Sequence, residues 1–214
     1  MQNITELLRL PSPAPRPQPI AFQGDALWIG AWGTQRLYAI DPQKWTVREE
    51  APVPGKPFGM TVIGDELRVL IAIDDDDRYI YRFVPGHGIK TEGRIPCPDL
   101  TGSHLAYDGD TLFVSQNANR RILALDAKGN EVREIPLERR PLGMTIADGC
   151  FYLLTGNDEN DDVEFTRVDA RGTTPVVSAL ATVPFDARAL AYDGARFWTN
   201  HRDNNEIVAF SYPT

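Results

Sequence analysis

The stretch LAYDGDTLFVS at residues 105–115 recurs as LAYDGARFWTN at residues 190–200, at an offset of 85 residues. The same step toward the N-terminus reaches IAFQGDALWIG at residues 20–30, where the aromatic and turn-glycine positions are retained. A second series interleaves with the first, because PFGMTV from Pro57 matches PLGMTI from Pro141 at an offset of 84 residues. The 214 residues therefore hold two and a half copies of a two-unit repeat, or five units of roughly 40 to 45 residues.

Every unit has the same local pattern of short apolar runs and tight turns. A first run is followed by a turn such as QGD or DGD, a second run such as ALWIG, and a third such as RILALD. Glycine in these turns allows positive φ, and alternating β-branched and aromatic residues favour packed strands. Four antiparallel strands at this period are typical of propeller blades. The sequence therefore predicts an all-β, five-bladed β-propeller with four antiparallel strands per blade.

The two ends of the chain predict how the ring closes. The last unit stops after its third strand, whereas ITELLRLP near the N-terminus resembles the fourth-strand segment EVREIPLERRP. Residues 4–10 are therefore expected to complete the fifth blade, which removes an open sheet edge. PSPAPRPQP then acts as a stiff link into the first blade. The predicted blades of this single domain are residues 19–56, 57–102, 103–140, 141–187, and 188–214 with 4–10.

Composition narrows the classes of partner. Lys and Arg number 22 against 30 Asp and Glu, a net charge of -8, which disfavours a nucleic-acid partner. No stretch has the pattern of a secretory signal or the length of apolar sequence that spans a membrane, so we expect a soluble, cytoplasmic monomer. Cys97 and Cys150 lie far apart without a ligand-like spacing, which indicates reduced, buried residues.

Polar loops follow the second strand of each predicted blade and should surround one mouth of the central channel. They include IAIDDDDRYIY at residues 71–81 and TGNDENDD at residues 155–162. Carboxylate and amide oxygens from several blades would suit Ca²⁺, with Asp74, Asp158 and Asn200 as the candidate ligands. His104 and His201 are the candidate acid–base residues of such a site.

Other side chains at this mouth are candidates for ligand contact. Trp32 lies in a mouth loop and does not recur at the repeat period, so it is a candidate for stacking on a ligand, together with Asn117 and Arg188. Arg139, Arg140 and Arg188 would either bind an anionic substrate or balance the acidic loops.

A purely structural role remains open for each candidate. Asp and Asn are the preferred turn residues because their side chains bond the local backbone, and buried histidines are often simply hydrogen-bonded.

The motifs PFGMTVIGDELRVL, PLGMTIADGCFYLL and LAYDGDTLFVSQNANRRILALD resemble the blade signature of the NHL-repeat, streptogramin-lyase, gluconolactonase-like and glutaminyl-cyclase propellers. Resemblance to gluconolactonases implies a calcium-dependent lactonase in a six-bladed ring, with parts for Asn117, Asn200 and Asp158. Resemblance to streptogramin lyases implies seven blades and a Mg²⁺ site, to which His201 would correspond. Glutaminyl cyclases have five blades, but they place an acidic residue where the first blade here has WIGAWG.

Two functions of different classes are predicted. The first is a small-molecule enzyme or binding protein that works at an acidic channel mouth, with Asp74, Asp158 and His201 converging near the axis. The second is a non-catalytic scaffold whose rim holds a protein partner through an exposed apolar patch. No nucleophile elbow, P-loop or H-E-x-x-H motif is present, so the sequence leaves catalysis open.

Overall fold

Each repeat unit forms a four-stranded antiparallel sheet, as seen in a computed structural model that describes residues 1–74, 77–159 and 162–211. Five such sheets form a five-bladed β-propeller, which confirms the fold predicted from the repeats. Tight turns at positive-φ glycines such as Gly24 and Gly64 join the first and second strands of their blades. The alternating apolar residues of each strand therefore face the neighbouring blades.

In the first four blades the strands follow one another in sequence order from the channel to the rim, and in the fifth the N-terminal strand is outermost. The first blade contains β2 (Pro17–Gln23), β3 (Ala26–Ala31), β4 (Arg36–Asp41) and β5 (Thr46–Pro52). The second contains β6 (Lys56–Ile63), β7 (Glu66–Ile73), β8 (Asp77–Val84) and β9 (Gly88–Pro96), followed by the short 3-10 helix Pro98–Leu100. The third contains β10 (His104–Tyr107), β11 (Leu112–Gln116), β12 (Arg121–Leu125) and β13 (Glu131–Pro136). The fourth contains β14 (Arg140–Ala147), β15 (Cys150–Gly156), β16 (Val163–Asp169) and β17 (Val176–Val183). The fifth contains β18 (Ala191–Tyr192), β19 (Phe197–His201), β20 (Glu206–Ser211) and, from the N-terminus, β1 (Thr5–Pro11).

The ring closes through the N-terminal strand, as predicted. β1 pairs antiparallel with β20, and Leu10 lies opposite Ile207. The proline-rich link that follows is tied to the fifth blade by Asn205, whose carbonyl oxygen accepts from Ser12 N at 2.8 Å and whose Oδ1 accepts from Arg16 N at 2.7 Å. Because these contacts join residues about 190 positions apart in sequence, they hold the first and last blades together.

Aromatic residues at the repeat period pack between neighbouring blades. The Trp28 ring lies 5.1 Å from that of Phe83, and the Phe113 ring lies 4.9 Å from that of Phe151, both edge-on. Such pairs add about 0.5 to 1.5 kcal/mol beyond the area they bury. These contacts make the interface between blades the main core of the protein.

The innermost strands approach one another closely around the channel. A Cβ atom added to Gly59 would lie 2.8 Å from the Cα of His104, and one added to Gly143 would lie 2.8 Å from the carbonyl carbon of Ala189. The glycine of the P-x-G-M-T motif is therefore required by packing against the start of the next blade, at the first strand or the link just before it. This packing sets the position of the residues at the channel mouth.

Both cysteines are free and buried, in agreement with the prediction. Burial raises the pKa of the Cys97 thiol to about 12. The described part of the chain contains no helix with the length and hydrophobicity needed to cross a bilayer.

Candidate functional site at the channel mouth

A cavity of about 390 Å³ opens where the innermost strands begin and the second strands end. Residues from all five blades or the links before them line it. They are Gln18, Trp32, Phe58, Arg78, Thr101, Ser103, His104, Asn117, Ala118, Arg140, Leu142, Arg188 and Arg202.

The lining is basic. Arg78, Arg140, Arg188 and Arg202 contribute four guanidinium groups, and no described Asp or Glu lines the cavity. The prediction of an acidic mouth is therefore wrong for the described lining, even though the protein as a whole carries a net charge of -8. The reason is that side chains at and beside strand ends face the cavity, whereas loop carboxylates such as Asp158 and Asp162 pair with arginines outside it. Asp186 does not line the cavity, but it pairs with Arg188, which does.

Two of these arginines stack on aromatic rings of the first two blades. The guanidinium carbon of Arg78 lies 4.0 Å from the centre of the Phe58 ring, and Arg78 also donates to the carbonyl oxygen of Gly102. The guanidinium carbon of Arg202 lies 4.3 Å from the Trp32 ring. Aromatic faces orient a guanidinium without neutralising its charge. These two stacks therefore present fixed positive groups to the cavity.

Trp32 occupies the predicted mouth position but is already engaged by the protein. Its Nε1 donates to the carbonyl oxygen of Pro57 at 2.6 Å, and its ring lies 4.5 Å from that of Phe58. Trp32, Asn117 and Arg202 are related by successive steps of 85 residues, so they are equivalent positions in three blades. All three line the cavity, which makes this repeat position a recurrent contributor to the site.

Asn117 acts as a support for Arg140. Asn117 Oδ1 accepts from Arg140 Nε at 2.8 Å and from Nη2 at 2.5 Å, while its Nδ2 donates to the carbonyl oxygen of Pro141 at 3.0 Å. Arg140 also donates to the carbonyl oxygen of Asp158 at 3.0 Å. All of these acceptors are neutral, so Arg140 is held in place with its charge uncompensated by them.

Arg188 lies in the link before β18 and is held from two sides. Its Nη2 is 2.7 Å from Asp186 Oδ1, and its backbone N–H donates to Asn200 Oδ1 at 2.9 Å. Asn200 is fully buried and also donates to the carbonyl oxygens of Pro17 at 2.9 Å and Gln18 at 3.2 Å. Asn200 therefore joins the fifth blade to the first, and its amide is fully used in that role.

His104 lies at the start of β10 in the cavity wall and is 5% exposed. Burial, together with the nearby Arg188 and Arg78, lowers the pKa of its imidazole to about 3. The ring is therefore neutral at pH 7. The pKa of Arg202 is lowered by burial first and then by Arg188, which is the effect expected of a cavity with a positive potential.

The remaining predicted residues lie outside the cavity lining. Asp74 is exposed at a turn with φ 54°, and Asp158 is exposed and pairs with Arg120 at 2.6 Å. His201 stacks on Phe185 with ring centres 4.9 Å apart. The structure thus does not bring Asp74, Asp158 and His201 together at the axis.

The predicted calcium site is not assembled by the described residues. Within residues 1–74, 77–159 and 162–211, no group of three or more His, Cys, Asp or Glu side chains is placed to hold a metal ion. Asp75, Asp76, Asn160 and Asp161 belong to the acidic loops but lie outside the described residues. Calcium binding by this protein stays a prediction.

Sequence reasoning selected His104, Trp32, Asn117 and Arg188, which line the cavity, and did not select Arg78 and Arg202, which line it too. Gln18 and Phe58 were missed as well. The repeat could have indicated that Arg202 lines the cavity, because Arg202 is equivalent to Trp32 and Asn117 at steps of 85 residues. Arg78 directly follows the aspartate run. The prediction assigned the function of this loop to the carboxylates and not to the guanidinium group beside them.

Comparison with known proteins supports the fold. No protein-family model and no curated protein matches the sequence. Glutaminyl cyclase from Myxococcus xanthus superposes over 97% of both chains with 13% identity and a TM-score of 0.69. The PQQ-bound form of aldose sugar dehydrogenase from Streptomyces coelicolor superposes over 98% of both chains with 12% identity and a TM-score of 0.66. Virginiamycin B lyase from Staphylococcus aureus matches over 95% of this chain and 98% of its own, with 12% identity and a TM-score of 0.58. The chain is thus similar in fold to propeller enzymes of several kinds, and it is a five-bladed β-propeller.

Proposed function

We propose that this propeller binds a small anionic molecule at the mouth of its central channel. The observation that carries the proposal is the cluster of four arginines in a cavity whose described lining has no carboxylate. Guanidinium groups bind carboxylates and phosphates through paired hydrogen bonds, so the cluster favours a ligand of one of these two kinds. A volume of about 390 Å³ is at the small end of ligand pockets.

The electrostatics of the cavity lining support this proposal. Arg140 is held by amide and carbonyl oxygens and Arg202 by an aromatic ring, and neither forms an ion pair with a described residue. Like charges gathered in a partly buried site repel one another, and an anion placed between them relieves that repulsion. The lowered pKa of both His104 and Arg202 has this cationic field among its causes.

Binding is favoured over acid–base catalysis by the titration of His104. A histidine with a pKa of about 3 is a weak base at pH 7, because efficient proton transfer needs a pKa near the working pH. We therefore assign His104 the role of a neutral hydrogen-bonding group in the cavity wall. The lyase, cyclase and dehydrogenase among the structural neighbours support small-molecule chemistry by analogy of fold only.

The alternative of a protein scaffold has less support. The exposed large apolar residues of the strands are Leu7, Val47, Val132, Val176 and Val177, and they are spread over the outermost strands of four different blades. Scattered apolar residues of this kind are normal on a protein surface.

The test is thermal unfolding and calorimetry with succinate, phosphate and sulfate, and with neutral glycerol and cationic lysine as comparison compounds. An anion at 100 times its dissociation constant should stabilise the fold by about 2.7 kcal/mol, and the neutral and cationic compounds should have no effect. Ca²⁺ added to chelator-treated protein in the same assay tests the metal prediction separately.

Arginine variants identify the site. Arg140→Gln and Arg188→Gln should each weaken anion binding about tenfold or more, since a hydrogen bond to a charged group contributes about 1.5 to 3 kcal/mol. The matched control is Arg36→Gln, whose side chain pairs with Glu50 on the outer strands of the first blade, 3.3 Å away. Equal anion affinity in all three variants would contradict the assignment of the cavity.

A further inference from the structure

Two buried polar atoms in the cavity wall have no hydrogen-bond partner among the described residues. They are Oε1 of Gln18 and Nε of Arg188. Gln18 is 5% exposed, lies on β2, and lines the cavity together with Arg188. Buried polar atoms in folded proteins nearly always have partners, so an acceptor and a donor left over in one cavity wall indicate a ligand that supplies both.

The orientation of the Gln18 amide follows from its other contact. Its Nε2 lies 3.4 Å from the carbonyl oxygen of Arg188, toward which it donates. Exchanging the two ends of the amide would place oxygen against oxygen, so the amide oxygen is the end left without a partner. Gln18 therefore has an unpaired acceptor in a cavity wall that also carries arginines.

The positive charge of the cavity lining restricts which kind of donor group a ligand can offer to Gln18 Oε1. Asp186 offsets the charge of Arg188, but an ammonium group would still be repelled by Arg140 and Arg202, which form no ion pair with a described residue. A neutral hydroxyl group meets the Gln18 acceptor without this penalty. The arginines at the same time require a negative group on the same molecule.

We infer that the ligand of this cavity is a hydroxy acid, a carboxylate that carries a neutral hydroxyl group beside its negative charge. The carboxylate oxygens accept from Arg188 and its neighbours, and the hydroxyl donates to Gln18 Oε1. This inference rests on the proposed anion-binding function and adds the chemical class of the ligand to it. Gln18 acts as the residue that distinguishes hydroxy acids from plain carboxylates.

Matched ligands test the inference by calorimetry at fixed ionic strength. Both enantiomers of malate are compared with succinate, which lacks only the hydroxyl, and with L-aspartate, which replaces it with an ammonium group. The better malate enantiomer is expected to bind about tenfold or more tightly than succinate, since the acceptor otherwise stays unpaired. L-Aspartate is expected to bind more weakly than malate.

Variants of Gln18 assign the discrimination to this side chain. Gln18→Met keeps the length of the chain and removes both polar atoms, so malate and succinate should bind it equally. Gln18→Glu keeps an acceptor but carries a negative charge, so it should weaken the binding of both anions while retaining the preference for malate. This variant still tests the inference if Gln18→Met does not fold. Gln43→Met, at an exposed turn on the opposite face, is the control that should behave like the parent protein.

The outcomes separate the two proposals. Equal affinity of the parent protein for malate and succinate would overturn the hydroxy-acid inference and leave anion binding intact. Tighter binding of L-aspartate would also overturn it, because the donor would then be charged. Absence of binding by every anion tested would refute the proposed function itself.

Discussion

Acidification from pH 7 to pH 5 is expected to destabilise this propeller through His104. The imidazole has a pKa of about 3 in the folded protein against an ordinary value of 6.5. Below pH 6.5 the unfolded chain takes up a proton that the folded chain excludes, so stability is complete above pH 6.5 and is lost as pH falls toward 3. Each pH unit in that window removes about 1.36 kcal/mol. The loss between pH 7 and pH 5 is therefore about 2 kcal/mol.

This window isolates His104 from the carboxylates. Arginine partners lower the pKa of Asp41 and Glu66 to about 2, and these groups lose their contribution only as pH falls below about 4 to 4.5. The assay is urea unfolding at pH 7 and pH 5 for the parent, for His104→Gln and for His87→Gln, whose histidine lies at an exposed turn.

The parent and the His87 variant should lose about 2 kcal/mol more than His104→Gln over this range. The same pH dependence in all three proteins would refute the assignment of His104 as a buried neutral group. An anion in the cavity would change the result by stabilising the imidazolium form, so the buffers should contain only weakly binding ions.

Three further predictions follow from single contacts. Asn200→Ala removes two hydrogen bonds to the first blade and one within the fifth, and should destabilise the fold by about 2 to 4 kcal/mol in urea unfolding. Asn204→Ala, at an exposed loop position, should change the stability by less than about 0.5 kcal/mol. Deletion of residues 1–11 exposes the edge of the apolar strand β20 and should produce oligomers in sedimentation velocity, so a monomer of unchanged stability would contradict the closure. Cys97 should resist alkylation at pH 8 in the native protein and react only on unfolding, because its pKa is about 12, and prompt labelling would show that it is not buried.

The repeat positions explain why the fold could be predicted from the sequence. Glycine at the turns and aromatic residues such as Trp28 and Phe113 recur at fixed spacing because every blade has the same tight turns and packs against its neighbours in the same way. Burial and strand pairing act locally on each unit, so the pattern is visible without coordinates. The closure through β1 was predictable for the same reason, because a propeller with an incomplete blade would leave an open edge.

The site was predictable only in part. His104 and Asn117 lie at strand ends and Arg188 lies in the link before β18, where the repeat alignment indicates a common mouth. Asp158 was misplaced because a loop carboxylate can turn toward the axis or toward solvent, and Arg120 holds it on the outside. The sequence alone does not indicate which of these two directions the carboxylate takes.

The sequence by itself determined the number of blades, the strand order and the face on which the channel mouth lies, because these follow from periodic apolar residues and turn glycines. Only the tertiary structure decided the charge of the site. Arg78 and Arg202 reach the cavity from separate blades by stacking on aromatic rings, and their convergence depends on the curvature of the closed ring rather than on their neighbours in sequence. A chain with more acidic than basic residues thus carries a positive cavity, since potential depends on which side chains meet in space and not on their sum.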